Sequence, residues 1–223
     1  MKRSHIDALI DGALTLLKGK GIFLPQFAYW SPADWKTKGP ECDEIRHCGL
    51  GWDVTDFGAG DFDRVGLVVF TVRNGHRSRE AYQHKTYCEK MLIVQENQRT
   101  PMHCHAFKAE DIICRSGGDL VCQVYLKAAD GKLAADDVEI SLDGVHRRVK
   151  AGTELVLRPG ESITLIPSVY HEFWARKGSG PAIVGEVSKV NDDANDNYFL
   201  QALGRFPAIE EDAPRRHLLC TDY

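Results

Sequence analysis

The sequence contains no run approaching the twenty or so apolar residues that a bilayer-spanning helix needs, which excludes a helical membrane protein. Its opening, Met1-Lys2-Arg3-Ser4-His5, lacks the continuous apolar stretch and small-residue cleavage site of a secretory signal, so a cytoplasmic location is expected. No Cys-x-x-Cys pair is present. The seven cysteines (Cys42, Cys48, Cys88, Cys104, Cys114, Cys122, Cys220) are odd in number and read as thiols of a reducing compartment rather than as a disulfide framework. A basic stripe is missing as well: the formal charge is -4 and Lys and Arg are scattered, which argues against nucleic acid as a partner. Internal repeats and low-complexity tracts are absent.

What is present is apolar material for a core, 43% of 223 residues. The chain reads as a single domain, 1–223, in three parts. In residues 1–64, Ile6, Leu9, Ile10, Ala13, Leu14 and Leu17 recur at helical spacing, with Ser4 and Asp7 near the start and Gly19 and Gly21 as the stop. An arm rich in aromatics follows (Phe27, Tyr29, Trp30, Trp35, Trp52, Phe57); it either covers the core of its own chain or meets a second copy. Residues 65–190 hold about ten short runs of Val, Ile, Leu and aromatics between turn signals such as Gly117-Gly118, Asp143-Gly144 and Pro159-Gly160, the pattern of a mainly β sandwich or barrel. Residues 191–223 begin with an Asn/Asp-rich loop and have no clear assignment.

The chemistry concentrates between Pro101 and Asp111. On a strand, side chains alternate between faces, so His103 and His105 enter one cavity while Met102, Cys104 and Ala106 point away. A turn of four residues then delivers Glu110 beside them, and Gly117 follows where that strand must turn. Two imidazoles and a carboxylate suit Mn, Fe, Co, Ni or Zn. His171, at the head of a later strand after Pro167, supplies a fourth ligand. His5, His47, His76, His84, His146 and His217 have no partner at ligand spacing and are expected at the surface or in caps, and Cys104 is expected to pack rather than ligate.

The pattern H-x-H-x4-E-x6-G from His103 to Gly117, followed by P-x3-H from Pro167 to His171, resembles the two metal motifs of the cupins. In the second motif no Gly stands between Pro167 and His171, and Ala175 occupies the place of the usual Asn. The aromatic arm, Lys108-Ala109-Glu110-Asp111 and Gly185-Glu186-Val187-Ser188 before the Asn/Asp-rich loop look like the bacterial D-lyxose isomerases over nearly the whole chain. The resemblance implies a cupin-type jelly-roll β-barrel and conversion of D-lyxose to D-xylulose, with D-mannose to D-fructose as a second reaction. It also implies Mn2+ as the metal, with Fe, Co, Ni or Zn as alternatives.

For such chemistry a group must move a proton between two carbons, and a carboxylate is the natural choice. Glu186, in strand phase with Val184, is the first candidate; a surface glutamate is the plain alternative. Lys108 in the turn and Lys90 ahead of an apolar strand are candidates to bond a substrate oxygen or pass on its proton, or are simply solvated. Asp193 is a candidate for distal sugar hydroxyls, and Glu110 for substrate contact besides ligation. Trp174 and Phe107 offer a sugar an apolar face or pack in the core, the better expectation for both. A homodimer is expected from the aromatic arm. Two other readings stay open: a cupin Fe(II) dioxygenase, and a sugar-binding cupin without turnover.

Overall fold

The computed structural model describes residues 1–192, 195–201, 203–204 and 207–223. Helix α1 (Arg3–Gly19) buries Ile6, Ile10, Ala13 and Leu17 along one face. Full burial of Ile6, Ile10 and Leu17 stabilises the docked helix by roughly 4.5–9 kcal/mol, at about 1.5–3 kcal/mol per side chain. The helix ends in a Schellman motif: Ile22 N–H donates to the Leu17 carbonyl and Gly21 N–H to that of Lys18, with Gly21 at φ 71°. Its start is not self-capped. Ser4 donates its backbone N–H and its hydroxyl to the Asp212 carboxylate (2.9 and 2.7 Å), and Arg3 N–H donates to the Glu210 carbonyl (2.8 Å). The first-turn donors that a local cap would take are thus satisfied from some two hundred residues away. Residues 207–223 lie along α1 as a clasp. The Arg3 guanidinium, fully buried, bridges Glu211 (2.9 Å) and Asp222 (3.1 Å), and Asp7 accepts the backbone N–H groups of Arg216 and His217.

The remainder is mainly β. In chain order the strands are β1 (Gly51–Thr55), β2 (Leu67–Asn74), β3 (Tyr87–Val94), β4 (His103–His105), β5 (Glu110–Gly117), β6 (Leu120–Leu126) and β7 (Val138–Leu142). Then follow β8 (Val145–Val149), β9 (Glu154–Leu157), β10 (Ser162–Leu165), β11 (Val169–Ala175), β12 (Ala182–Lys189) and β13 (Asn197–Phe199). They form two antiparallel sheets, ordered β1-β2-β3-β12-β5-β10-β7-β8 and β13-β4-β11-β6-β9. Leu92, Ile112, Cys114 and Val184 of the first sheet meet Cys122, Val124 and Phe173 of the second in one apolar cluster. The opposite face of the first sheet presents Trp52, Phe70, Ile93 and Ile183 to Ile6, Ile10 and Leu17. Alternation therefore gives β2, β3 and β12 two apolar faces, one for the inter-sheet core and one for the helix and arm.

The mainly β expectation and the N-terminal helix hold. Within the arm the structure adds β1, which pairs with β2 from Gly51↔Thr71 to Thr55↔Leu67. All five β1 residues are buried, and although Trp52-Asp53-Val54-Thr55 alternates apolar and polar, four residues inside a Gly-punctuated aromatic arm are a short signal for a strand. Trp52 fixes the preceding segment by donating its indole N–H to the Ala28 carbonyl (2.8 Å). The arm is a cover for its own chain, with Phe23 and Tyr29 left facing outward. The seven cysteines, all among the described residues, form no disulfide.

Candidate active site

Sheet register assembles the predicted residues. His103 on β4 stands opposite His171 on β11, and His105 opposite Asn197 on β13. In the other sheet Glu110 opens β5 opposite Ser188 of β12, and Glu186, two residues earlier on β12, stands opposite Lys90 of β3. The ligand atoms of His103, His105, Glu110 and His171 all lie within 4.8 Å of one another. The tight turn from Ala106 to Ala109 is what lets one stretch of chain serve both sheets.

The donor set fits a divalent metal. His103 Nδ1 lies 2.7 Å from the Pro101 carbonyl and His171 Nδ1 3.1 Å from that of Val169. A carbonyl only accepts, so both Nδ1 atoms carry the proton and both Nε2 lone pairs are left to face inward. The buried Nε2 atoms of His105 and His171 have no hydrogen-bond partner, although Glu110 oxygens stand 3.3 and 3.0 Å away. With Nδ1 of His105 also unpartnered, these imidazoles bring lone pairs beside a carboxylate, which is what a cation needs. Burial, reinforced by the neighbouring His171 and His105, holds the His103 imidazole well below its ordinary pKa, in the neutral form that can ligate. Burial would raise the Glu110 carboxyl; Lys108 and His105 outweigh it and keep the group well below the usual carboxylate range.

Beside this cluster lies a buried network of charge. Lys108 Nζ bridges Glu110 Oε2 (2.8 Å) and Glu186 Oε1 (2.9 Å). Lys90 Nζ donates to Glu186 Oε1 (3.1 Å) and to Asn191 Oδ1 (2.7 Å), and the Ser188 hydroxyl lies 3.3 Å from the same Glu186 oxygen. Neither lysine is solvated: Lys108 is 4% and Lys90 6% exposed. Glu186 is buried and faces the cavity, as its phase with Val184 predicts. Burial pushes its pKa up, but Lys108 and Lys90 prevail and keep it lowered, so it is ionised at neutral pH. Lys108, despite burial, is raised by Glu110 and Glu186. The shared cavity has a volume of about 60 Å³, where ~10–15 Å³ suffices for one water. Apolar side chains complete its lining: Phe57, Leu67, Val69, Leu92, Phe173 and Phe199.

One residue escaped the reading of the sequence. Asp196 is 2% exposed, and its carboxylate accepts the backbone N–H groups of Ala106 (3.0 Å), Phe107 (2.8 Å) and Lys108 (3.1 Å), clamping the turn that carries Lys108. The Asn/Asp-rich loop was its only signal, and nothing in that run distinguishes Asp196 from its neighbours. Asp193, the residue singled out there, lies outside the described residues. Phe107 is 58% exposed with the Arg77 guanidinium 5.2 Å above its ring, so the expected core packing fails; its place in the turn points it outward. Trp174 is buried under Arg99 (3.6 Å) and does not line the cavity. Cys104 packs in the interior, as expected of the face away from the ligands. His76 caps a loop by accepting from Ser78 and Arg79, and His217 contacts Asp11.

A family model described as D-lyxose isomerase matches residues 1–223. The chain is 45% identical over its full length to a D-lyxose/D-mannose isomerase of Serratia proteamaculans, of which it covers 98%. It is 43% identical, again over its full length and 98% of the relative, to a D-lyxose/D-mannose isomerase of Escherichia coli. Among solved structures, the L-ribose isomerase of Acinetobacter sp. DL28 in complex with L-ribose superposes with a TM-score of 0.62 at 15% identity, over 93% of this chain and 98% of that one; this likeness is one of fold.

Proposed function

The chain belongs to the D-lyxose isomerase family, and we propose that it interconverts D-lyxose with D-xylulose and D-mannose with D-fructose. The observation that carries the reading is an ionised, buried Glu186 joined through Lys108 to Glu110, in one cavity with His103 and His105, whose ligand atoms cluster with those of Glu110 and His171. His103, His105, Glu110 and His171 would hold one divalent ion, Mn2+ in our proposal. When bound, the ion supplies Lewis-acid stabilisation of negative charge on adjacent sugar oxygens.

The protein's own groups do the rest. Aldose-to-ketose conversion removes the proton on C2 and adds one to C1, while the hydroxyl proton leaves O2 and O1 gains one. Glu186 takes the C2 proton and returns it to C1, so the carboxylate ends as it began. Lys90 and Lys108 keep Glu186 in the form that accepts a proton, at some cost in basicity. Lys108, 2.9 Å from that carboxylate, donates a hydrogen bond to the oxygen on which charge develops. Asp196 holds the Lys108 turn in place.

Residues 1–223 act as one domain in this reading, because the arm contributes Phe57 and residues 191–223 contribute Asn197 and Phe199 to the same cavity. The outward Phe23 (76% exposed) and Tyr29 support a homodimer. The deciding experiment adds Mn2+ back to metal-stripped protein with D-lyxose or D-mannose and measures the ketose formed. Ketose that appears only with metal, and is lost in His103→Ala, is the expected result. Bound metal without ketose, in oxygen-consuming or inert protein, would overturn the reading in favour of a dioxygenase or a binder.

A further inference from the structure

Phe57 is an aromatic residue in a backbone conformation that suits glycine. Its φ is 53°, in the left-handed region where a bulky side chain is an outlier. The conformation is held from both sides: Phe57 N–H donates to Thr55 Oγ1 (2.9 Å) and Gly58 N–H to Asp56 Oδ1 (2.9 Å), with Thr55 and Asp56 both buried. The turn follows directly on β1, whose pairing with β2 fixes where it begins. Its result is that the ring is thrust inward, 5% exposed, into the cavity that holds His103 and Glu186. There it meets Phe199 edge-on at 5.8 Å, and Phe199 in turn lies 5.7 Å from the His103 ring. Phe57 is thus one ring farther from the metal-type cluster than Phe199. Strain kept at a cavity wall points to a use for the side chain placed there.

The use follows from the substrates, and the inference rests on the isomerase reading above. D-Lyxose and D-mannose share their configuration at C2, C3 and C4 and differ in length by one CHOH group. Both react at C1 and C2, which must lie beside Glu186. The difference between them is therefore presented at the other end of the sugar, away from the charged wall. We propose that Phe57 closes that end of the cavity and sets the preference between pentose and hexose. Phe199, against His103, positions the reacting end, and Phe57 limits the chain length behind it.

The test measures kcat/KM for D-lyxose and D-mannose on metal-loaded wild type, Phe57→Gly and Phe57→Leu. Glycine accepts the positive φ and removes the ring; leucine keeps part of the volume. A methylene-sized change in an apolar pocket discriminates substrates by about tenfold or more. The mannose-to-lyxose ratio should therefore rise about tenfold in Phe57→Gly and less in Phe57→Leu. Should Phe57→Gly fail to fold, Phe57→Leu reads the same ratio. A ratio that stays fixed while both activities fall together, or a ratio that drops, overturns the role of Phe57 and leaves the isomerase standing. Ketose from neither sugar in the wild type overturns the isomerase reading itself, and this inference with it.

Discussion

Replacing Lys108 with methionine removes a cation that touches both buried carboxylates of the site while keeping most of the side-chain volume. In the native network Lys90 and Lys108 balance Glu110 and Glu186, two charges against two, among imidazoles that are neutral when they ligate. The variant leaves Glu110 without its 2.8 Å ammonium partner and Glu186 with Lys90 alone. Breaking a buried ion pair by deleting one partner costs about 3–5 kcal/mol. Metal-stripped Lys108→Met should thus be less stable than wild type by about 3 kcal/mol at pH 7. The pH dependence follows from the directions of the shifts. Glu110 and Glu186 are held below their ordinary values, so the stability they supply is complete above roughly pH 4.5 and fades as pH falls through their lower folded values. Lys108 is held above its ordinary value, so its contribution persists to roughly pH 10 and fades only beyond. The gap between the proteins should accordingly stay flat from pH 7 to 9 and narrow towards pH 5, where the variant's carboxyls, released upward, take up protons. Urea unfolding of metal-stripped protein at pH 5, 7 and 9 measures this. A difference below about 1 kcal/mol at pH 7 would refute the claim that Lys108 compensates the buried carboxylates.

Glu186→Gln should lower kcat by roughly 10²–10⁴-fold while metal binding, followed by calorimetry, is retained. Asp196→Ala should cost about 2 kcal/mol in urea unfolding, since three backbone N–H groups lose a charged acceptor, and should lower kcat through the misplaced Lys108. His171→Ala should abolish the rise in thermal midpoint that Mn2+ produces in the wild type, as differential scanning fluorimetry would show. Sedimentation at micromolar concentration should give a dimer, and Phe23→Ser with Tyr29→Ser should shift it towards monomer.

The metal-type cluster was legible because its logic is local. Period-two alternation puts His103 and His105 on one face, and a four-residue turn is short enough to fix Glu110 beside them. Phase also carried Glu186, since Val184 had to face the core. What pairs with Glu186 was not legible, because Lys90, 96 residues away on β3, and Lys108, 78 residues away in the turn before β5, are brought to it by the antiparallel register of β12 with those strands, and a sequence does not print its register. β1 and the left-handed turn at Phe57 were hidden for a different reason. The alternation of β1 runs over only Trp52-Asp53-Val54-Thr55, too short to stand out from the aromatic arm around it, and Phe57 is not a residue whose type announces a positive φ.

The clasp on α1 also orders events in time. Arg3 leaves the ribosome some two hundred residues before Glu211 and Asp222, the carboxylates that neutralise it, exist. Until then the helix has neither the counter-ions of its buried Arg3 nor the Asp212 carboxylate that satisfies its first turn. Whatever the nascent chain assembles before then, this closure waits: the helix, made before the strands, is completed only after them, by residues still unmade while the sheets are being threaded out.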